Sequence, residues 1–324
     1  MKKLFLVLTF SLVLSCSKEN IKLSGDVFGT TYAIQYYSEN KENFQLQFDS
    51  LFSEVNQSMS TYMIDSGISK LNRNEGNQLD DHFIRVFEES QRIFKETNGV
   101  FDPTIGVVVN AWDFGPQGKI QNLDSLKIDS LMTFVGLDKV ILEGRKIHKP
   151  LGTFIDFNAI AKGYGVDVIG EFLEEKGITN YLVEIGGEIR CKGKNVEKGK
   201  PWKVGVEMPH FDGTQSILKA ITIIDASMAT SGTYRKFKTD ENGNRYSHII
   251  DAKTGYPSKT NLLSISVIAD QCMTADAYAT AFKAMGIEEV KAFLDKHPEL
   301  KVFLIFENDK GELETKALNS FPEN

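Results

Sequence analysis

The chain has 324 residues, with 37 Lys and Arg against 44 Asp and Glu, a formal net charge of −7. An acidic balance with interspersed signs argues against nucleic acid as a partner. Three cysteines are too few for a disulfide framework, so the fold must rest on its hydrophobic core.

Residues 1–15 read as an address rather than as part of the fold. Lys2 and Lys3 precede Leu4 to Leu14, an apolar run broken only by Thr9 and Ser11. The run is shorter than the ~20 residues that span a bilayer and matches a signal-peptide h-region. It ends in Val13-Leu14-Ser15-Cys16, the pattern of a bacterial lipobox, in which the Cys16 thiol is acylated and becomes the new N-terminus. The competing readings are an ordinary signal peptide with an incidental cysteine and an uncleaved anchor. Lipidation of Cys16 is preferred because the cysteine directly follows the small residue. Such a protein is lipid-anchored to a bacterial membrane and faces the extracytoplasmic, periplasmic side. Nothing after residue 15 is long and apolar enough to cross a membrane.

The expected organisation is a leader over 1–15, a lipidated polar tether over 16–25 and one domain over 26–324. Val27 to Tyr37 is rich in β-branched and aromatic residues and predicts a strand. Phe48, Leu51, Phe52, Val55 and Met59 recur at helical spacing, predicting a helix over 43–57. Phe83, Val86, Phe87 and Phe94 mark a second, which Asn98-Gly99 would close. A third runs from Ala161 to Lys176-Gly177. Strands are expected at 181–185, 202–207, 217–224, 263–268 and 302–306, with helices over 274–285 and 287–296. Helices and strands mix without strict alternation, so the fold class is α+β with an antiparallel or mixed sheet. No G-x-G-x-x-G and no Walker loop is present, which argues against a Rossmann unit. Cys191 and Cys272 are expected as two buried thiols, although one bridge between them is possible.

Four segments look unlike scaffolding. Asn98 to Gly106, followed by Asn110, Trp112 and Phe114-Gly115, places aromatics among turn residues and suits a flat ring. The same stretch also reads as aromatics plugging the core beneath a loop. Ile155-Asp-Phe-Asn-Ala-Ile-Ala-Lys-Gly163 turns from a strand into a helix, where backbone N–H groups beside Lys162 favour a phosphate. Asp156 or Asn158 alone would also serve as a helix cap. Gly186-Gly187 adds a place of close backbone approach. In Tyr246 to Gly255, His248 sits among polar and turn residues, poised for proton transfer or else satisfied by a neighbour such as Asp251. In Met273 to Thr280, Asp276 and Thr280 are four apart on one face of a helix. A carboxylate, a hydroxyl and carbonyls are hard-cation ligands of the kind Mg²⁺ uses, whereas a threonine bonding back to its own helix is the ordinary alternative.

Taken together the chain resembles the FAD:protein FMN transferases, the ApbE-like flavin transferases. The matching pieces are Gly29-Thr30-Thr31-Tyr32, Ser60-Thr61-Tyr62, Gly99 to Thr104, Asp156 to Gly163 and Val183 to Gly187. Ala229 to Gly232, Ser247 to Asp251, Thr254 to Pro257, Met273 to Asp276 and Ala279-Thr280 continue the series in order.

The resemblance implies an ApbE-like, T-fold-like architecture and an Mg²⁺-dependent reaction with FAD as substrate. A threonine or serine hydroxyl of an acceptor flavoprotein attacks the FMN-side phosphorus, and AMP leaves. The implied metal ligands are the Ala159 carbonyl, Asp276 and Thr280. The implied flavin contacts are Phe28, Tyr62, Val100, Phe101, Asp102, Asp156, Lys162 and Ile250, with His248 as the base. The acceptors would be subunits of membrane redox complexes.

Three positions depart from the common pattern: Phe28 where methionine is usual, Ala252 where proline is frequent, and Thr233 where an acidic residue is frequent. Two other readings use the same site: an Mg²⁺-dependent FAD pyrophosphatase yielding FMN and AMP, and a flavin-binding lipoprotein without turnover.

Overall fold

The computed structural model describes residues 18–234, 237–239 and 245–323. Cys16 and the leader lie outside the described residues.

Eight strands form an antiparallel sheet in the spatial order Glu19–Val27, Thr30–Ser38, Tyr181–Ile185, Glu188–Lys192, Ala226–Gly232, Leu262–Ala269, Lys301–Glu307 and Leu313–Leu318. Side chains alternate across a strand, and this alternation divides the core in two. Ile265 and Val267 join Val302 and Leu304 in a cluster with the helices, while Ile268, Phe303 and Ile305 point the other way. On the helical face the Ala161–Glu175 and Cys272–Met285 helices lie together, with Asp81–Glu96 and Gln45–Met59 outside them. The opposite face is covered by Lys200–Glu207 and Ile217–Ile223, which bury Trp202, Val204, Val206 and Ile221 against Ile189, Cys191 and Met228. The α+β class with an antiparallel sheet is as expected.

Two boundaries differ from the sequence reading. The stretch expected as a tether through Gly25 is a strand from Glu19, paired along its length with Thr30–Ser38. Its alternation of partly buried Ile21 and Leu23 with exposed residues is that of a one-face-buried strand, which a polar composition hid. The single strand expected over 27–37 is broken at Phe28-Gly29, whose φ values of 51° and 74° make a two-residue hairpin turn.

The Cys272–Met285 helix is docked from within its neighbour. Asp167, fully buried on the Ala161–Glu175 helix, accepts the N–H groups of Cys272 and Met273 at 3.0 and 2.8 Å and pairs with Arg190 Nη1 at 2.8 Å. It thus caps two of the orphan donors of the helix start. At Gly163 any side chain would fall 2.4 Å from the Cys272 carbonyl oxygen, so glycine is what lets the two helix starts touch. Cys191 and Cys272 are both buried and free, and burial pushes both thiols up. Among the described residues no helix is long and apolar enough to cross a membrane.

Candidate active site

The site is a cavity of about 540 Å³ at the ends of the sheet's middle strands, beside the starts of the two central helices. Four walls make it. The loop after the Asp81–Glu96 helix supplies Val100, Phe101 and Asp102. The turn before the Ala161–Glu175 helix supplies Asp156, Asn158, Ala159 and Lys162. The hairpin at Gly186-Gly187 brings Glu184 and Glu188, and the Ala226–Gly232 strand brings Thr230 and Ser231. The fourth wall holds His248, Ile250, Asp276 and Thr280.

The first wall is set by Asp102, whose carboxylate turns away from solvent. It accepts Thr104 N–H at 2.8 Å, Thr104 Oγ1–H at 2.6 Å and Leu137 N–H at 3.2 Å. Burial raises its pKa, and these donors counter the rise. Phe101 and Phe114 give the wall an apolar surface, while Trp112 packs outside this cavity and donates its Nε1–H to Gly255 O at 2.8 Å. The aromatic segment is therefore divided: Phe101 and Phe114 face this cavity and Trp112 does not.

Asp156 likewise serves locally and faces the cavity. It accepts Asn158 N–H at 2.7 Å and Asn158 Nδ2–H at 3.1 Å, an Asx turn that starts the helix. Asn72, which sequence reasoning missed, clamps the preceding residue through both its N–H and its carbonyl at 2.8 Å.

The charged centre is compact. Lys162 Nζ lies 2.6 Å from Glu188 Oε1 and 4.0 Å from Asp276 Oδ1. Burial works against the ammonium, but the two carboxylates outweigh it and hold its pKa above the ordinary lysine value. Burial pushes the Glu188 carboxyl up; Lys162 opposes that rise and Asp276 adds to it. Asp276 Oδ2 accepts the Gly163 N–H at 3.0 Å, and Thr280 Oγ1 shares a 3.1 Å hydrogen bond with Ser231 Oγ. Glu188 was absent from the sequence reading, which took this stretch as a backbone approach. Its Oε2 is buried and has no hydrogen-bond partner among the described residues.

Those features bear on a metal. Among the described residues no group of three His, Cys, Asp or Glu is gathered to hold one. The alternative is a mixed oxygen set: the Asp276 carboxylate, the Thr280 hydroxyl and the Ala159 carbonyl, all at this cavity. A buried carboxylate oxygen without a donor among the described residues, beside one lysine shared by two acids, is a place that favours positive charge. The residues present fit a hard cation.

Of the expected site residues, Val100, Phe101, Asp102, Asp156, Ala159, Lys162, His248, Ile250, Asp276 and Thr280 share this cavity. Two do not line it. Phe28 packs edge-on against Phe52, with ring centroids 5.7 Å apart. Tyr62 is 59 % exposed, and partial burial followed by the Asp156 charge raises its hydroxyl pKa. His248 stands edge-on to Phe114 at 6.2 Å between centroids.

The model of the ApbE family matches residues 28–304. The chain belongs to the ApbE family. It is 37 % identical to the FAD:protein FMN transferase of Haemophilus influenzae, over 95 % of this chain and 92 % of that one. It is 31 % identical to the Escherichia coli K12 protein of the same name, over 83 % and 77 %. Among solved structures, the flavin transferase ApbE of Vibrio cholerae superposes with a TM-score of 0.84 at 36 % identity, covering 94 % of this chain and 98 % of that one. The flavinyl transferase ApbE of Pseudomonas stutzeri gives 0.83 at 26 % identity, over 93 % and 95 %. The cavity therefore lies in an ApbE fold.

Proposed function

We propose that this protein transfers FMN from FAD to a threonine or serine hydroxyl of an acceptor protein, with Mg²⁺ at the Asp276 site. The observation that carries the reading is the meeting, in one cavity, of His248 with the Lys162, Glu188 and Asp276 cluster beneath an apolar wall. The family relationship supplies the flavin.

Phosphoryl transfer asks mainly for positioning and charge neutralisation. Phe101, Phe114 and Ile250 offer a surface for a flat ring, and Lys162 offers its ammonium to a phosphate. A divalent cation held by Asp276, Thr280 and the Ala159 carbonyl supplies Lewis acidity to the pyrophosphate when bound. The acceptor oxygen forms a bond to the FMN-side phosphorus, the bridging P–O bond breaks, AMP leaves, and His248 takes the acceptor proton. No protein nucleophile is required.

The lipid anchor at Cys16, the periplasmic side of the membrane and acceptors in membrane redox complexes belong to the same proposal. Their support is the leader sequence. With the first strand starting at Glu19, three residues beyond Cys16, the folded body would sit close to the surface that holds its acceptors. The test incubates the protein with FAD, Mg²⁺ and an acceptor domain and weighs the acceptor. A mass gain of one FMN on threonine is expected. FAD consumed to FMN and AMP without that gain makes the protein a pyrophosphatase, and FAD bound but intact makes it a binding protein.

A further inference from the structure

A second cavity, of about 780 Å³, lies beside the first. Its chemistry is different. Trp112, Tyr246 and Tyr256 line it with Arg245, Lys259 and Lys283, and among the described residues no carboxylate does. In a chain with a net charge of −7 this is a local reversal of sign.

Lys283 is its most unusual member. It sits in the last turn of the Cys272–Met285 helix and is 1 % exposed. Its Nζ donates to Thr260 Oγ1 at 3.0 Å, and the ammonium has no carboxylate partner among the described residues. An ammonium carries three donors, so two remain for whatever enters the cavity. Buried charges are ordinarily paired. Burial lowers the pKa of this one to about 8, which still leaves it mainly charged near neutral pH. Arg245 lies over the Phe211 and Phe237 rings at 4.8 and 5.0 Å.

The position of the cavity says which molecule would use it. Tyr246 and Ser247 line this cavity, and His248 and Ile249, the next residues, line the first. Ser258 N–H bonds to Ile249 O at 2.9 Å, so the strip carrying His248 is tied to the strip that carries Thr260 over Lys283. A polypeptide that reaches His248 along this strip passes the cationic, aromatic recess.

The geometry points to the second cavity as the docking site for the acceptor protein, with Lys283 receiving an acidic side chain near the hydroxyl that takes FMN. This rests on the transferase reading of the first cavity. Charge complementarity and continuity with the His248 strip select the acceptor over FAD, whose walls are already those of the first cavity.

The experiment compares FMN transfer by the wild type and by Lys283→Met and Lys283→Arg, using an acceptor domain and versions of it with each acidic residue near the accepting threonine neutralised in turn. Lys283→Met should raise the acceptor KM about tenfold or more, leaving kcat and the KM for FAD within twofold, and Lys283→Arg should restore much of the loss. One neutralised acceptor should lose the same factor on the wild type and nothing further on Lys283→Met. Equal loss for every acceptor on both enzymes, a changed KM for FAD, or no change in acceptor KM overturns the docking site while the transferase reading stands. Absence of transfer by the wild type removes both together. Thermal unfolding of each variant, run in parallel, shows that the folded enzyme is what is being compared.

Discussion

Lys283 should be a residue that the fold carries at a loss. Its pKa falls from 10.5 to about 8 on burial, and among the described residues no opposing charge shares the cause. At 1.36 kcal/mol per unit this is roughly 3 kcal/mol of unfavourable burial when the amine is protonated. With 1 % exposure, solvent screening offers little relief. Lys283→Met keeps the length and apolar volume of the side chain and removes the charge. It also removes the bond to Thr260 Oγ1, which for a charged donor is worth about 1.5 kcal/mol. The variant should therefore be about 1.5 kcal/mol more stable than the wild type at pH 7, read from denaturant midpoints at constant slope. The pH dependence has a definite sign. Below pH 8 the amine is protonated in both states and the full penalty is present. Between 8 and 10.5 the unfolded chain binds the proton more tightly, so the wild type gains stability as pH rises, and the advantage of Lys283→Met shrinks towards nothing. Lower stability of the variant at pH 7, or a gap that does not close by pH 10.5, would refute the reasoning, because the ammonium would then be compensated in place.

Three other substitutions test the active site and its supports. Asp276→Ala should abolish Mg²⁺ binding measured by calorimetry without FAD, and should lower transfer by at least about a hundredfold; unchanged Mg²⁺ affinity would remove Asp276 from the ligand set. His248→Ala should cut kcat by about 10²–10⁴-fold while the KM for FAD holds, and a loss confined to KM would make His248 a binding residue instead of a base. Asp167→Asn should cost about 2–3 kcal/mol of stability, at the low end for a broken buried ion pair because Arg190 keeps Glu174 at 2.9 Å. A cost below about 1 kcal/mol would mean that Asp167 does not hold the start of the Cys272–Met285 helix.

How much of this was legible in the sequence depends on which physical signal each residue leaves. The helices over Gln45–Met59, Asp81–Glu96 and Ala161–Glu175 were found because an apolar stripe at 3.6-residue spacing survives any tertiary arrangement. The Ala226–Gly232 strand was missed, although it lies at the centre of the sheet. Its residues past Met228 are Ala229, Thr230, Ser231 and Gly232, and the last three give their surface to the cavity instead of to the core. Function has erased the alternation there that folding alone would have written. The opposite holds for Glu19–Val27, where partly buried Ile21 and Leu23 do alternate but a polar sequence overrode them.

Site residues divide along the same line. Asp276, Thr280 and Lys162 could be picked out because polar groups stand among small apolar neighbours, and the fold then brings Lys162 within 4.0 Å of Asp276 across 114 positions of chain. Glu188 left a fainter trace, a lone acid at the start of a strand whose next residue is apolar and buried. Asp167 left a clear trace that went unread: it sits between Val166 and Val168 in a helix buried on nearly every side, where a carboxylate must find partners. Its partners are N–H groups of another helix and an arginine of the sheet, none of them nearby in sequence. A buried acid announces that a partner exists, and only the fold says which. Lys283 is the same signal with no acidic partner among the described residues, and that is why its cavity calls for a ligand.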